Sequence, residues 1–182
     1  MDMVTVVEKY ELSNVDIEFI MEKYANGIYQ LALVKTKNPD QASDIFQEVF
    51  YKLTKSRKPF ESEEHTKAWL IRVTLNCCVN MWQSAWFRHT VPIAEYEEKS
   101  EKGRETESLD QDDDVYKSVM KLPEKYRVPI HLFYYEELSL AEISNVMGIK
   151  SNTVATRLKR GRNLLKENLK GEYSYERFSR LI

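Results

Sequence analysis

Glycine and proline are scarce, five of each in 182 residues, and no turn-punctuated alternation of apolar and polar residues marks a sheet, so a helix-rich soluble chain is expected. Nowhere do about 18 apolar residues run together, and the first ten positions carry acidic residues without a long apolar stretch. Neither a membrane span nor a secretory signal is expected, which places the chain in the cytoplasm. Cysteine is confined to the adjacent pair Cys77 and Cys78. Neighbours in sequence cannot staple distant segments and leave a zinc site short of ligands, so both are expected as buried thiols, with a redox role as the alternative. The three histidines, His65, His89 and His131, lie in separate segments, and there is neither a glycine-rich phosphate loop nor a paired-histidine helix. That inventory argues against an enzyme, a cofactor or a metal centre. Asp110, Asp112 and Asp114 imitate a calcium loop, but Val115 stands where its glycine is needed and Lys121 where its closing glutamate is needed.

What is present is 42% hydrophobic residues, 31% charged residues and a net charge of -2. A charge of that sign argues against nucleic acid only if it is evenly spread, and it is not. Ten acidic residues face three basic ones over 94–114, whereas seven basic residues face one acidic one over 150–170. The chain divides accordingly. Over 14–37, Ile17, Ile20, Met21, Tyr24, Ile28, Leu31 and Ala32 recur at helical spacing. Asn38, Pro39 and Gln41 are an N-cap, a first-turn proline and a capping-box residue, opening a second helix with an apolar stripe of Ala42, Ile45, Phe46, Val49, Phe50 and Leu53. Ser62 can cap a third helix reaching to about Trp86, apolar on nearly all sides and therefore central in a bundle, with Trp69 and Trp82 assigned to its packing. Arg72, Asn76 and Asn80 form one polar stripe on it. From 91 to 114 the periodicity fades, as in a solvated linker. The expected architecture is all-α: a helical domain over 1–90, an acidic linker over 91–114, and a second helical domain with a C-terminal tail over 115–182.

In that second domain Pro123 restarts a helix that Pro129 should kink or deprive of one hydrogen bond. A short helix over 140–147 ends at Gly148, which readily takes a left-handed turn, and Ser151 can cap the last helix. At about 100° per residue, Val154, Leu158, Gly161 and Leu165 share one side, and Gly161 admits a close neighbour helix. Asn152, Ala155, Thr156, Lys159, Arg160 and Asn163 lie opposite. Two short helices joined by a tight turn, the second burying one face and presenting the other, make a helix-turn-helix DNA reader. Arg or Lys reaches guanine edges and Asn pairs with adenine, while Arg157 and Arg162, at the edge of the buried face, suit phosphates. The alternative is a basic helix face that is merely solvated; the helix and turn before it favour the reader.

Leu122-Pro123-Glu124-Lys125-Tyr126-Arg127, Leu138-Ser139-Leu140-Ala141-Glu142-Ile143, Met147-Gly148-Ile149 and 153–162 together resemble region 4 of bacterial sigma factors. Residues 44–53 are similar to sigma region 2.2, and Lys67-Ala68-Trp69-Leu70-Ile71-Arg72-Val73 with Asn76 to region 2.3. Two motif sets in order across a short linker, with no room for region 3, resemble the extracytoplasmic-function group. The resemblance implies a promoter-specific initiation factor, with core RNA polymerase and promoter DNA as partners. Asp44, Gln47 and Glu48 would face the β′ clamp helices, and the second domain would meet the β flap. Arg72, Asn76, Asn80, Trp86 and Arg88 would handle the minus-10 element, where Trp82, Trp86 and Phe87 offer stacking surfaces to an opened strand. Asn152, Thr153, Ala155, Thr156, Arg157, Lys159, Arg160, Arg162 and Asn163 would handle the minus-35 element. An anti-sigma factor is an implied partner, and direct membrane insertion is not. Where many relatives carry an arginine run after region 2.3, this chain has only Arg88 and His89, which implies a weaker minus-10 grip or one aided by polymerase. A stand-alone regulator would explain the last helices but leave residues 44–53 and the Arg72 stripe without a task.

Overall fold

The computed structural model describes residues 14–56, 60, 62–88 and 113–169. Three helices form the first bundle: α1 (Asn14–Thr36), α2 (Pro39–Lys55) and α3 (Glu63–Arg88). Asn38 caps α2 as its sequence predicts, its Oδ1 accepting from the Gln41 N–H at 3.0 Å ahead of Pro39 in the first turn. Lys37, the hinge residue before it, adopts φ 56. Ser62 accepts from the His65 N–H at 3.1 Å and starts α3. The α2 residues Ala42, Ile45, Val49, Phe50 and Leu53 meet Leu70, Ile71, Leu75 and Cys78 of α3 in a core shared with Ile28, Leu31 and Ala32 of α1.

The expectation that α3 is central in the bundle holds for Leu70, Ile71, Leu75, Cys77 and Cys78, which are buried, but not for all of its apolar residues. With 26 residues it is about 39 Å long, against about 26 Å for the 17 residues of α2. Near its C-terminal end Val79 is 45% and Trp82 49% exposed. Trp82 is thus not a core residue, whereas Trp69 packs edge-on against Phe60 with ring centres 5.5 Å apart. Burial keeps Cys77 and Cys78 as free thiols and pushes the Cys78 thiol up to about 12.

The second bundle comprises α4 (Asp113–Lys121), α5 (Glu124–Tyr134), α6 (Leu140–Met147) and α7 (Ser151–Asn168). Pro129 lies inside α5, which runs on through it. Ser139 and Glu142 close a reciprocal capping box at the start of α6, with the Glu142 N–H donating to Ser139 Oγ at 3.3 Å and the Ser139 N–H to Glu142 Oε2 at 2.8 Å. Gly148 ends α6 at φ 64, the left-handed geometry expected of it. Ser151 does not cap α7. It is already the first helical residue, and Lys150 occupies the cap position without a side-chain bond. The turn is tied instead by the Ser144 hydroxyl, which donates to the Ile149 carbonyl at 2.6 Å.

The two bundles pack on one another, α5 along α1 and α6 against α3. This is why Val34, outside the stripe predicted for α1, is fully buried. Arg127 crosses the seam at 3% exposure, donating to the Leu122 carbonyl at 2.6 Å in its own bundle and to the Val34 carbonyl of α1. Among the described residues no helix is long and apolar enough to cross a membrane, and no cluster of His, Cys, Asp or Glu is placed to hold a metal ion. The acidic linker, including Asp110 and Asp112 of the calcium-like run, lies outside the described residues.

Candidate nucleic-acid interface

The α7 helix is anchored by Val154, Leu158, Gly161 and Leu165, all buried. A Cβ added at Gly161 would meet Ile130 Cγ1 at 3.1 Å, so the glycine does set how closely α7 approaches α5. That close approach aims the opposite side outward. Asn152, Thr153, Ala155, Thr156, Lys159, Arg160 and Asn163 are exposed and Arg157 half-exposed. Thr156 Oγ1 donates to the Asn152 carbonyl at 2.8 Å, which leaves its lone pairs free to accept.

Arg162 stands apart from this set. Its guanidinium lies 5.5 Å from the Phe133 ring centre and 5.7 Å from that of Tyr134, folded back onto α5. In its place the structure brings in Lys125 and Tyr126 from the start of α5. With Asn152, Thr153, Thr156, Arg157 and Arg160 they line an open cleft of about 340 Å³. A hydrogen bond from Arg160, with Lys125 nearby, pulls the Tyr126 hydroxyl below its usual pKa. A cleft with three cations and several hydroxyl or amide groups suits an anionic backbone. Lys125 and Tyr126 escaped the helical-wheel reading because they sit on another helix; their own motif position gives no sign of the juxtaposition.

On α3, Arg72, Asn76 and Asn80 are all exposed along one line, with Trp82 and Gln83 just beyond. Arg72 Nη2 donates to Asn145 Oδ1 of α6 at 3.0 Å. The side chains of Trp86, Phe87 and Arg88, and the whole of His89, fall outside the described residues. On α2, Asp44, Gln47 and Glu48 are exposed on one face, continued by Tyr51 at 60% exposure. Glu48 pairs with Lys52 at 2.7 Å, which raises the lysine's pKa, chiefly through that hydrogen bond.

A helix-turn-helix with a basic outward face, joined to a bundle bearing a separate exposed polar stripe, defines an all-helical DNA-binding protein. Family profiles place it more closely: sigma-70 region 2 matches residues 20–88 and sigma-70 region 4 matches residues 112–165. The chain is 31% identical over 163 residues to the ECF RNA polymerase sigma factor SigW of Bacillus subtilis, covering 83% of this chain and 87% of that protein. It is 30% identical over 151 residues to RNA polymerase sigma factor SigV of the same organism, covering 82% and 88%. The fold is similar to that of the sigma factor RpoE, solved with the anti-sigma factor NepR from Bartonella quintana, with TM-score 0.64, 21% identity and coverage of 86% and 98%. A second neighbour is CnrH in complex with the cytosolic domain of CnrY, at TM-score 0.58 and 18% identity, covering 88% and 91%. The chain belongs to the sigma-70 family of RNA polymerase sigma factors, in its extracytoplasmic-function group. It is a promoter-specific transcription initiation factor.

Proposed function

We propose that the chain grips a promoter at two points while docked on core polymerase. In this reading α7 reads the minus-35 element through Asn152, Thr153, Ala155, Thr156, Arg157, Lys159, Arg160 and Asn163. Lys125 and Tyr126 add backbone contacts, and Arg162 braces α7 on α5. The α3 stripe of Arg72, Asn76 and Asn80 takes the minus-10 element, with Trp82, Trp86 and Arg88 extending it. Asp44, Gln47 and Glu48 dock on the β′ clamp helices, and the 115–182 domain meets the β flap. The segment 91–114 serves as the tether between domains 1–90 and 115–182. The observation that carries the reading is the pair of exposed polar faces on α3 and α7, each opposite a buried stripe of its own bundle. The work is binding rather than catalysis and takes place in the cytoplasm. An anti-sigma factor is a further partner, a role supported by the two solved neighbours, RpoE with NepR and CnrH with CnrY.

Base-resolved binding tests the minus-35 assignment. Arg160→Ala should cost about 1–3 kcal/mol at one base position if Arg160 reads guanine. Arg157→Ala should weaken all sequences alike and flatten the logarithmic salt slope by about 0.9, one phosphate contact. Uniform loss from both variants would remove Arg160 as a base reader and assign it, with Tyr126, to the backbone.

A further inference from the structure

We propose that Tyr126 is a positioning residue for base recognition: from the start of α5 it holds the Arg160 guanidinium of α7 in place for a guanine edge. The inference rests on the minus-35 reading above and adds to it a residue from a second helix.

Tyr126 is half-buried and packed against the apolar core, whereas Arg160 is exposed. Gly161, the neighbour of Arg160 in the chain, is buried, and a Cβ added there would stand 3.4 Å from Tyr126 Cβ. The missing side chain at 161 thus seats the phenol beside the α7 backbone. Its hydroxyl oxygen accepts hydrogen bonds from Arg160 and from Lys125, and the Lys125 ammonium also stands 5.1 Å from the ring centre. All three side chains line the open cleft on the outward side of α7. A tyrosine has only two side-chain torsions to fix, so a ring seated on the core offers its oxygen as a fixed acceptor.

A free arginine side chain samples many rotamers, and freezing them costs entropy each time DNA binds. A guanidinium already held in place avoids part of that cost. Of its five N–H donors, one given to Tyr126 leaves four, enough for the two parallel bonds that guanine O6 and N7 accept. With its oxygen accepting from two cations, the phenol still has its own proton to donate to a phosphate oxygen. One hydroxyl can therefore fix register on the backbone and aim the base reader, coupling the two kinds of contact. The consequence falls on specificity more than on total affinity, because a held guanidinium is less able to swing toward the acceptors of a wrong base pair.

Holoenzyme assembled from core polymerase and the full chain, bound to a promoter library randomised at the minus-35 positions, reads the preference at each base. Wild type should prefer guanine at one position, and Arg160→Ala should lose that preference. Tyr126→Phe keeps the ring and deletes the oxygen. It should reduce the preference at the same position by about 3- to 10-fold, the worth of one hydrogen bond, with preferences elsewhere and the thermal midpoint unchanged. In the Arg160→Ala background it should have no further effect at that position. Tyr126→Phe leaving the preference intact, weakening every sequence alike, or costing as much without Arg160 as with it would overturn the positioning role while Arg160 remained the reader. If Arg160→Ala itself weakens every sequence alike, the base-reading assignment fails first and the positioning role falls with it.

Discussion

His131 shows how one side chain can tie stability to pH. It is 2% exposed, stacked on Tyr135 with ring centres 5.2 Å apart, and neither ring nitrogen has a hydrogen-bond partner. Burial pushes its pKa from 6.5 down to about 4. In the unfolded chain the ring protonates near 6.5, so between that pH and 4 the unfolded state binds more protons and acid favours unfolding. The contribution is complete above about pH 6.5 and lost as pH falls toward 4, on the order of 3 kcal/mol. Urea midpoints measured across that window should fall in the wild type and flatten in His131→Phe; parallel profiles would place the acid sensitivity elsewhere. The outward placement of Asn152, Thr156, Lys159 and Arg160 was legible from the sequence because it depends only on helical spacing around Val154 and Leu158. Arg162 was not, since its position is decided by Phe133 and Tyr134 on another helix. Trp82 was misplaced for a different reason: periodicity identifies an apolar residue but cannot tell that this one faces solvent, 49% exposed.

At the scale of elements, the reader's rigidity rests on a few local devices. Ser139→Ala removes the forward half of the α6 capping box and should cost about 1 kcal/mol. It also removes the hydroxyl hydrogen bond that does most to hold the Glu142 carboxyl below its usual pKa, while the bond from the backbone N–H at 139 persists. Gly161→Val drives a branched side chain toward Ile130, which is fully buried, and should cost about 1–3 kcal/mol through overpacking. Thermal unfolding measures both, and a neutral Gly161→Val would mean that α7 can move off α5 without loss. The helices themselves were largely legible: Asn38 and Pro39, Ser62 and Gly148 act where their chemistry predicts. Ser151 failed as a cap because Lys150 accepts the first α7 backbone bonds, from Thr153 at 2.8 Å and Val154 at 3.1 Å. Sequence distinguishes poorly between a capping serine and one already inside the first turn.

For the whole molecule, the small net charge conceals an acidic segment followed by a basic reader, and the sequence shows that contrast directly. The contact between the bundles is less visible there. Arg127 reads as one residue of a region 4 motif, and its place against the end of α1 depends on segments about ninety residues apart. In the proposed two-point grip, α2, α3 and α7 act together in promoter initiation. Run-off transcription by core polymerase with the full chain over a fragmented genome tests it most directly. Discrete start sites preceded by common minus-10 and minus-35 sequences are expected, lost with Gln47→Ala plus Glu48→Ala, and lost separately with Asn76→Ala plus Asn80→Ala. Absence of core-polymerase binding, with transcription unchanged by either pair, would contradict it.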